Sequence, residues 1–403
     1  MELLRGSRGT SKLLPALFIT FCLALTLPVE DAVGQGHRAE EAPRLHFPLT
    51  SFYDSPVPWA PSKPGTLIRS EPFDQYEIPF GDSAVRILYH SQSASGEDLA
   101  ASGVVMVPED SAPSGGWPVI VWGHPLLSTA RACAPSLMKV PPGGPFLGMY
   151  LNLGFAVVVP DYVGLGTAYR NAALDMKSNA NDLMFAVPAA RQAVPQLSTK
   201  WIALGDADGG SAAVMLDEIE STVNDEGYLG SISISGELDL KNMLESARNP
   251  AWNDEIAFLI YGTKTVFPGF HPKEVLTSAG LVRYRQVTEN CAVPSPRTVT
   301  PTDEMLRREA AKNPYLTKFA YRNQLGHQRA KAPLLVINGE DPNTTRGFPA
   351  EMVVHQMCAI GDRVDFESFP GVDPGHVIGS SVAAQISWIK ARFAGRGTPN
   401  SCH

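Results

Sequence analysis

The sequence has no surplus of basic charge: 33 lysines and arginines stand against 41 aspartates and glutamates, a formal net charge of −8. A phosphate backbone attracts clustered cations, so nucleic acid is excluded as a partner class. There is no block of like charge, no internal repeat and no low-complexity tract. No CxxC pair occurs, so a zinc site is not supported. Long apolar runs are also missing, with one exception, LLPALFITFCLALTLPV at residues 13–29. That run follows Arg5, Arg8 and Lys12, contains Pro15, is short for a bilayer, and is succeeded by small residues ending near Gly34. Residues 1–34 therefore read as a secretory signal, which predicts a secreted or periplasmic protein with no membrane span in the mature chain. The segment holds three basic and three acidic residues, so its removal leaves the charge at −8.

Cys22 leaves with that segment, and Cys133, Cys291, Cys358 and Cys402 remain. An even number of cysteines in an exported chain suggests two disulfides, free buried thiols being the alternative. Of the possible pairings, sequence order favours Cys133 with Cys291 and Cys358 with Cys402. With 403 residues, 44% of them hydrophobic and 18% charged, the chain can bury a large core in one big domain or two smaller ones.

Residues 35–63 are rich in proline, glutamate and small residues and are expected to form an irregular arm on the surface. From residue 64 to 403 apolar runs alternate with helical patterns. The strand candidates are GVVMVP (103–108), WPVIVWGH (117–124), FAVVVPDY (155–162), WIALGD (201–206), SISIS (231–235), PLLVING (333–339) and VDFESFPG (364–371). Several are apolar throughout, as in strands covered on both faces. Val382, Ile386, Ile389 and Phe393 share one helical stripe. The alternation predicts an α/β fold with a mostly parallel sheet flanked by helices. About 237–330 lacks convincing strands and shows helical fragments, LKNMLESA and TDEMLRREAAK, which predicts a helical cap inserted over the sheet.

The stretch WIALGDADGGSAA, residues 201–213, has the frame of a strand, a sharp GxSxG turn and a helix, with Ala207 where the serine would stand. Gly205 and Gly209 allow a crowded backbone, and Gly210 lets the helix pack close. Downstream, Glu340 and Asp341 follow one strand candidate, and His376 follows another just before a helix. Nucleophile turn, acid, histidine is the chain order of the α/β-hydrolase triad.

With CAPS at 133–136, PDYVGLGT at 160–167 and the glycine pattern around the turn, the chain resembles the secretory lipases, fungal and bacterial triacylglycerol lipases of the α/β-hydrolase fold. The resemblance runs from about residue 65 to the last helix. It implies acyl-ester hydrolysis with no cofactor, Asp341 as the acid and His376 as the base, with Glu340 the other candidate for the acid. The GLG of PDYVGLGT lacks the third glycine of a dinucleotide loop, which argues against a nicotinamide. The departures lie at the centre of the site. The family's elbow resembles GHSQGG, whereas here Asp206 and Asp208 flank Ala207. At the oxyanion segment His124, Pro125 and Leu126 replace His-Gly-Thr, and Pro125 has no N–H to donate.

A methyl group cannot attack a carbonyl, and deleting such a serine costs about a millionfold in turnover in serine proteases. Two carboxylates beside the turn also oppose a developing negative charge, by up to about 4 kcal/mol per close pair at an effective dielectric near 20. Three functional readings follow. The chain is a lipase or esterase homologue that has lost serine catalysis but binds an acyl ester, lipid or other apolar small molecule. It is an active ester hydrolase using Asp208, Ser211 or a water activated by His376. Or it is a secreted binding protein in which the old pocket has no role.

Overall fold

The computed structural model describes residues 45–246, 253–291, 305–341 and 350–402. Nine strands form one sheet: β1 (Leu67–Pro72), β2 (Gly81–Gln92), β3 (Asp98–Pro108), β4 (Trp117–Gly123), β5 (Ala156–Pro160), β6 (Leu197–Asp206), β7 (Tyr228–Ile234), β8 (Leu334–Glu340) and β9 (Val364–Pro370), in the order β1-β2-β3-β5-β4-β6-β7-β8-β9. The β1/β2, β2/β3 and β3/β5 pairs are antiparallel, and every later pair is parallel. The described helices are α1 (Gly144–Asn152), α2 (Met176–Ala193), α3 (Asp208–Ile219), α4 (Leu240–Glu245), α5 (Asn253–Val266), α6 (Ser278–Glu289), α7 (Pro314–Arg322), α8 (Ala350–Ala359), α9 (Val377–Ser380) and α10 (Val382–Phe393).

Successive residues of a strand face opposite sides of the sheet, and the central strands are apolar on both. Val119, Val121, Val158 and Ala203 pack with α2 and α3, while Ile120, Trp122, Val157 and Leu204 pack with α1, α9 and α10. The result is a three-layer α/β sandwich. In α10 the most buried residues are Gln385, Trp388 and Ile389, with Val382, Ile386 and Phe393 at the edge of the same stripe.

The seven strand candidates all become strands, and two more precede them. β1 and β2 escape a hydrophobic reading because β1 is a half-exposed edge strand and β2 carries Arg86 and His90 among its apolar residues. Arg86 is nonetheless buried, its guanidinium 3.2 Å from the Phe73 ring centroid and its Nε donating to the Tyr76 hydroxyl at 3.1 Å. In the described part of the N-terminal arm, Phe52 and Tyr53 are buried against Leu88, Ala100 and Leu137, so aromatic anchors fasten an otherwise irregular segment.

Between β7 and β8 the described residues form helices and one isolated bridge, Leu276 with Leu306. Of the helix expected over TDEMLRREAAK, Met305 is helical and Leu306 then enters the bridge. The Thr277 N–H donates to Met305 O and the Arg307 N–H to Val275 O, so backbone groups that a helix would pair internally are spent across segments. Further on, Ala310–Lys312 makes a short 3₁₀ turn. Residues 302–304 of that stretch lie outside the described residues.

Both disulfides form, Cys133 with Cys291 and Cys358 with Cys402. The first joins the segment after β4 to the end of α6, reinforced by the Thr129 hydroxyl donating to Thr288 O at 2.8 Å. Among the described residues no helix is long and apolar enough to cross a membrane.

The two bridges close loops of sequence separation 158 and 44. Chain entropy then makes the first worth about 1 kcal/mol more than the second, within a typical contribution of about 2–4 kcal/mol each. Denaturant titration of Cys133→Ala/Cys291→Ala and Cys358→Ala/Cys402→Ala variants is expected to show the larger loss in the former.

Candidate functional site

β6 ends at Asp206, and the chain turns through Ala207 at φ 52°, ψ −124° before α3 begins at Asp208. This left-handed conformation costs a non-glycine residue about 1–3 kcal/mol and persists only where the surroundings impose it. Here they do. A Cβ on Gly205 would collide with the Gly209 carbonyl, and one on Gly209 with that of Gly123, so the ends of β4 and β6 and the first turn of α3 touch backbone to backbone. The Ala207 N–H donates to Ile234 O at 2.9 Å, and its carbonyl accepts from Ser211 N at 3.1 Å. The positive φ falls on Ala207, not on Asp208, so the elbow residue is the alanine.

Ser211 is fully buried in α3, with its hydroxyl 3.5 Å from the Ala207 carbonyl. Asp208 is also buried, and its carboxylate accepts a hydrogen bond from the Leu126 N–H in the segment after β4. Asp206, on the other side of the elbow, is half-buried, and burial pushes its carboxyl up to about 6.

The segment that carries Pro125 and Leu126 is held by two features whose residues occur in the CAPS and PDYVGLGT motifs. Asp161, at the end of β5, accepts from the Ser136 N–H at 2.7 Å, the Ser136 hydroxyl at 2.5 Å and the Ser102 hydroxyl at 2.6 Å. Burial pushes its carboxyl up to about 6 despite these donors. Tyr162 stacks on His124, ring centroids 4.3 Å apart, and donates its hydroxyl to His124 O at 3.2 Å. His124 Nδ1 lies 2.8 Å from Pro125 O, which can only accept, so Nδ1 carries the proton. Burial lowers this imidazole to about 4, and it is neutral at physiological pH.

Glu340 closes β8 and Asp341 follows it, with Pro342 outside the described residues. His376 stands at the start of α9, its side chain 85% exposed and its Nδ1 3.2 Å from Asp373 Oδ1. The imidazole thus bonds to a carboxylate three residues upstream. The loop itself reaches the elbow: Ser235 donates to Pro374 O at 2.8 Å, and Pro374 and Gly375 line the elbow cavity. The structure therefore brings the histidine loop to Ala207 but turns the ring outward.

That cavity has a volume of about 280 Å³. Pro125, Leu126, Ala207 and Phe258 line it beside five acidic residues, Asp206, Asp208, Glu237, Asp254 and Glu255. Asp254 is engaged by Arg283, which donates to Oδ1 through Nε at 2.9 Å and Nη2 at 2.6 Å. The acidic lining was not visible in the sequence, because Glu237, Asp254 and Glu255 belong to the segment between β7 and β8 and meet the elbow only through the fold. Asp373 was missed for the opposite reason, sitting within the histidine loop as an ordinary turn residue. Among the described residues no group of histidine, cysteine and carboxylate side chains is arranged to hold a metal.

Further buried acids lie outside the cavity, Asp182 and Glu218 among them. Asp182 accepts from Ser91 and, at 2.7 Å, from the Val163 N–H, and burial pushes it up to about 7. Glu218 accepts from the Gly326 N–H at 2.6 Å and is likewise pushed up to about 7 by burial. A carboxyl group raised above its unfolded value keeps a proton in the native state that the unfolded chain has released. Its stabilising contribution is complete below about pH 4 and is lost as pH rises through the folded value. Asp161, Asp182, Asp206 and Glu218 all act in this sense between about pH 4 and 7, whereas His124, lowered by burial, opposes them between about pH 4 and 6.5. Four groups outweigh one, so calorimetry is expected to give a higher unfolding midpoint near pH 5 than near pH 7.5, with the difference smaller in Asp182→Asn.

No protein-family model and no curated protein sequence matches the chain. In architecture it is similar to Candida antarctica lipase A in its closed state, with a TM-score of 0.75 over 89% of each chain at 16% identity. It is also similar to the rice cell wall degrading esterase LipA from Xanthomonas oryzae, with a TM-score of 0.66 over 82% of this chain and 100% of that one at 19% identity. At these identities the likeness is one of fold, and the chain has the α/β-hydrolase architecture that both proteins share.

Proposed function

We propose that this protein is an exported homologue of α/β-hydrolase lipases and esterases that binds a small neutral acyl compound at the elbow without turning it over by serine chemistry. One observation carries the reading: the residue held in the strained elbow conformation is Ala207, whose methyl group has no proton to surrender and no lone pair to attack with. The two substitute nucleophiles gain no support from their surroundings. Asp208 is engaged with the Leu126 N–H, and Ser211 is buried under the elbow. His376, facing solvent, is poorly placed to activate a water above Ala207. Two disulfides support export, since such bonds persist in oxidising compartments.

The choice of a neutral ligand follows from the lining. A fatty-acid carboxylate in a cavity lined by acidic residues, of which Asp254 is offset by an arginine, meets repulsion of up to about 4 kcal/mol for an ionised neighbour at about 4 Å and an effective dielectric near 20. An ester or alcohol of the same carbon skeleton does not. The volume of about 280 Å³, just under the smallest common ligand pockets of about 300 Å³, favours a short acyl group over a long lipid chain.

With p-nitrophenyl acetate and butyrate, turnover by the native protein is expected to match that of a His376→Ala control, about a millionfold below a serine enzyme. Turnover clearly above that control would overturn the reading. A short-chain ethyl ester is expected to raise the thermal midpoint, and the corresponding carboxylate to leave it unchanged near pH 7. Stabilisation by the carboxylate alone would contradict the assigned ligand class.

A further inference from the structure

We infer that the Asp208 carboxylate is a resident occupant of the oxyanion pocket, a second block to acyl transfer independent of the missing hydroxyl. The inference rests on the reading of Ala207 as the elbow position of a catalytically silent hydrolase fold. In acyl transfer on this fold, the oxygen of the attacked carbonyl sits between the N–H following the nucleophile and an N–H of the segment after the neighbouring strand. That neighbouring strand is β4, paired in parallel with β6 up to Gly123 opposite Gly205. Its following segment cannot donate at Pro125, which has no N–H, so the first amide available after it is that of Leu126. The Leu126 N–H is the group that donates to Asp208.

The occupant is well suited to its seat. Asp208 is the first residue of α3, a helix of twelve residues, and a carboxylate at a helix N-terminus is favoured by the helix dipole. Leu126 is buried, and a buried N–H without an acceptor is costly, so the carboxylate satisfies a donor that would otherwise wait for a ligand. A substrate carbonyl entering the site must then displace an anion, and its developing charge would form beside that same anion. Loss of one oxyanion donor lowers turnover about 10²–10³-fold in a serine protease. Restoring the hydroxyl alone therefore leaves the elbow unreactive, whereas restoring it and vacating the seat does not.

The test compares Ala207→Ser with Ala207→Ser/Asp208→Ala using an alkyl fluorophosphonate. Labelling forms a bond from the serine oxygen to phosphorus, expels fluoride and passes the hydroxyl proton to a base in the site. The double variant is expected to label about 100-fold faster than the single one. Equal, measurable rates of labelling would overturn the proposal. Hydrogen exchange at the Leu126 amide, with Ala207 left in place, gives a readout that needs no catalytic base. Exchange is expected to quicken about tenfold or more in Asp208→Ala and to stay slow in Asp208→Asn, which keeps an acceptor oxygen. Unchanged exchange in Asp208→Ala would sink the assignment. If both serine variants stay unlabelled, a quickened Leu126 amide upholds the seated carboxylate and places the remaining fault elsewhere. Hydrolysis by the native protein, in contrast, would refute the silent-hydrolase reading without touching the ratio between the two serine variants.

Discussion

Three stretches of backbone meet with no side chain between them: the ends of β4 and β6 and the first turn of α3, at Gly123, Gly205 and Gly209. Everything at the site depends on this contact. It draws α3 onto the sheet at the one point where the chain must reverse within a residue, and it leaves that residue, Ala207, in a conformation that L-amino acids avoid. The strain is sustained by the hydrogen bonds on either side of it and by a sheet buried on both faces. None of these supports involves a hydroxyl. The elbow is a consequence of packing, so its shape outlasts the chemistry for which such elbows serve.

Carboxylates around the site are used as acceptors for the backbone and for hydroxyls. Asp161 gathers Ser102 and Ser136 and so ties the segment after β4 to the end of β5, while Asp182 holds Val163 two residues further along the same motif. Each lies in an environment that disfavours its charge, and each is compensated by donors aimed at it. Asp208 belongs to this pattern: it is one more buried acid satisfying a backbone N–H, and it happens to do so where a reacting oxygen would sit.

The sheet was largely legible because strands covered on both sides must be apolar throughout, as in AVVVP of β5. β1 and β2 were not, since an edge strand needs only one buried face and Arg86 owes its place in β2 to aromatic rings that come from other segments. In TDEMLRREAAK local helix preference said nothing of Val275 and Thr277, with whose backbones Arg307 and Met305 pair. The elbow could be read from glycine spacing, a steric requirement carried by adjacent residues. The bond from His376 to Asp373 could not, because triad order directs attention to strand ends and not to a turn residue three positions from the ring. CAPS and PDYVGLGT were visible as motifs, but their purpose emerges only when Ser136 and Asp161 are seen to share a hydrogen bond.

The bond between Cys133 and Cys291 fixes one corner of the helices that lie between β7 and β8. Its two α-carbons are 4.9 Å apart, and Cys133 belongs to the same connection that carries His124, Pro125 and Leu126. The end of α6 is thereby held to the very stretch of chain that supplies the Leu126 N–H, so the two cannot part while the bond is intact.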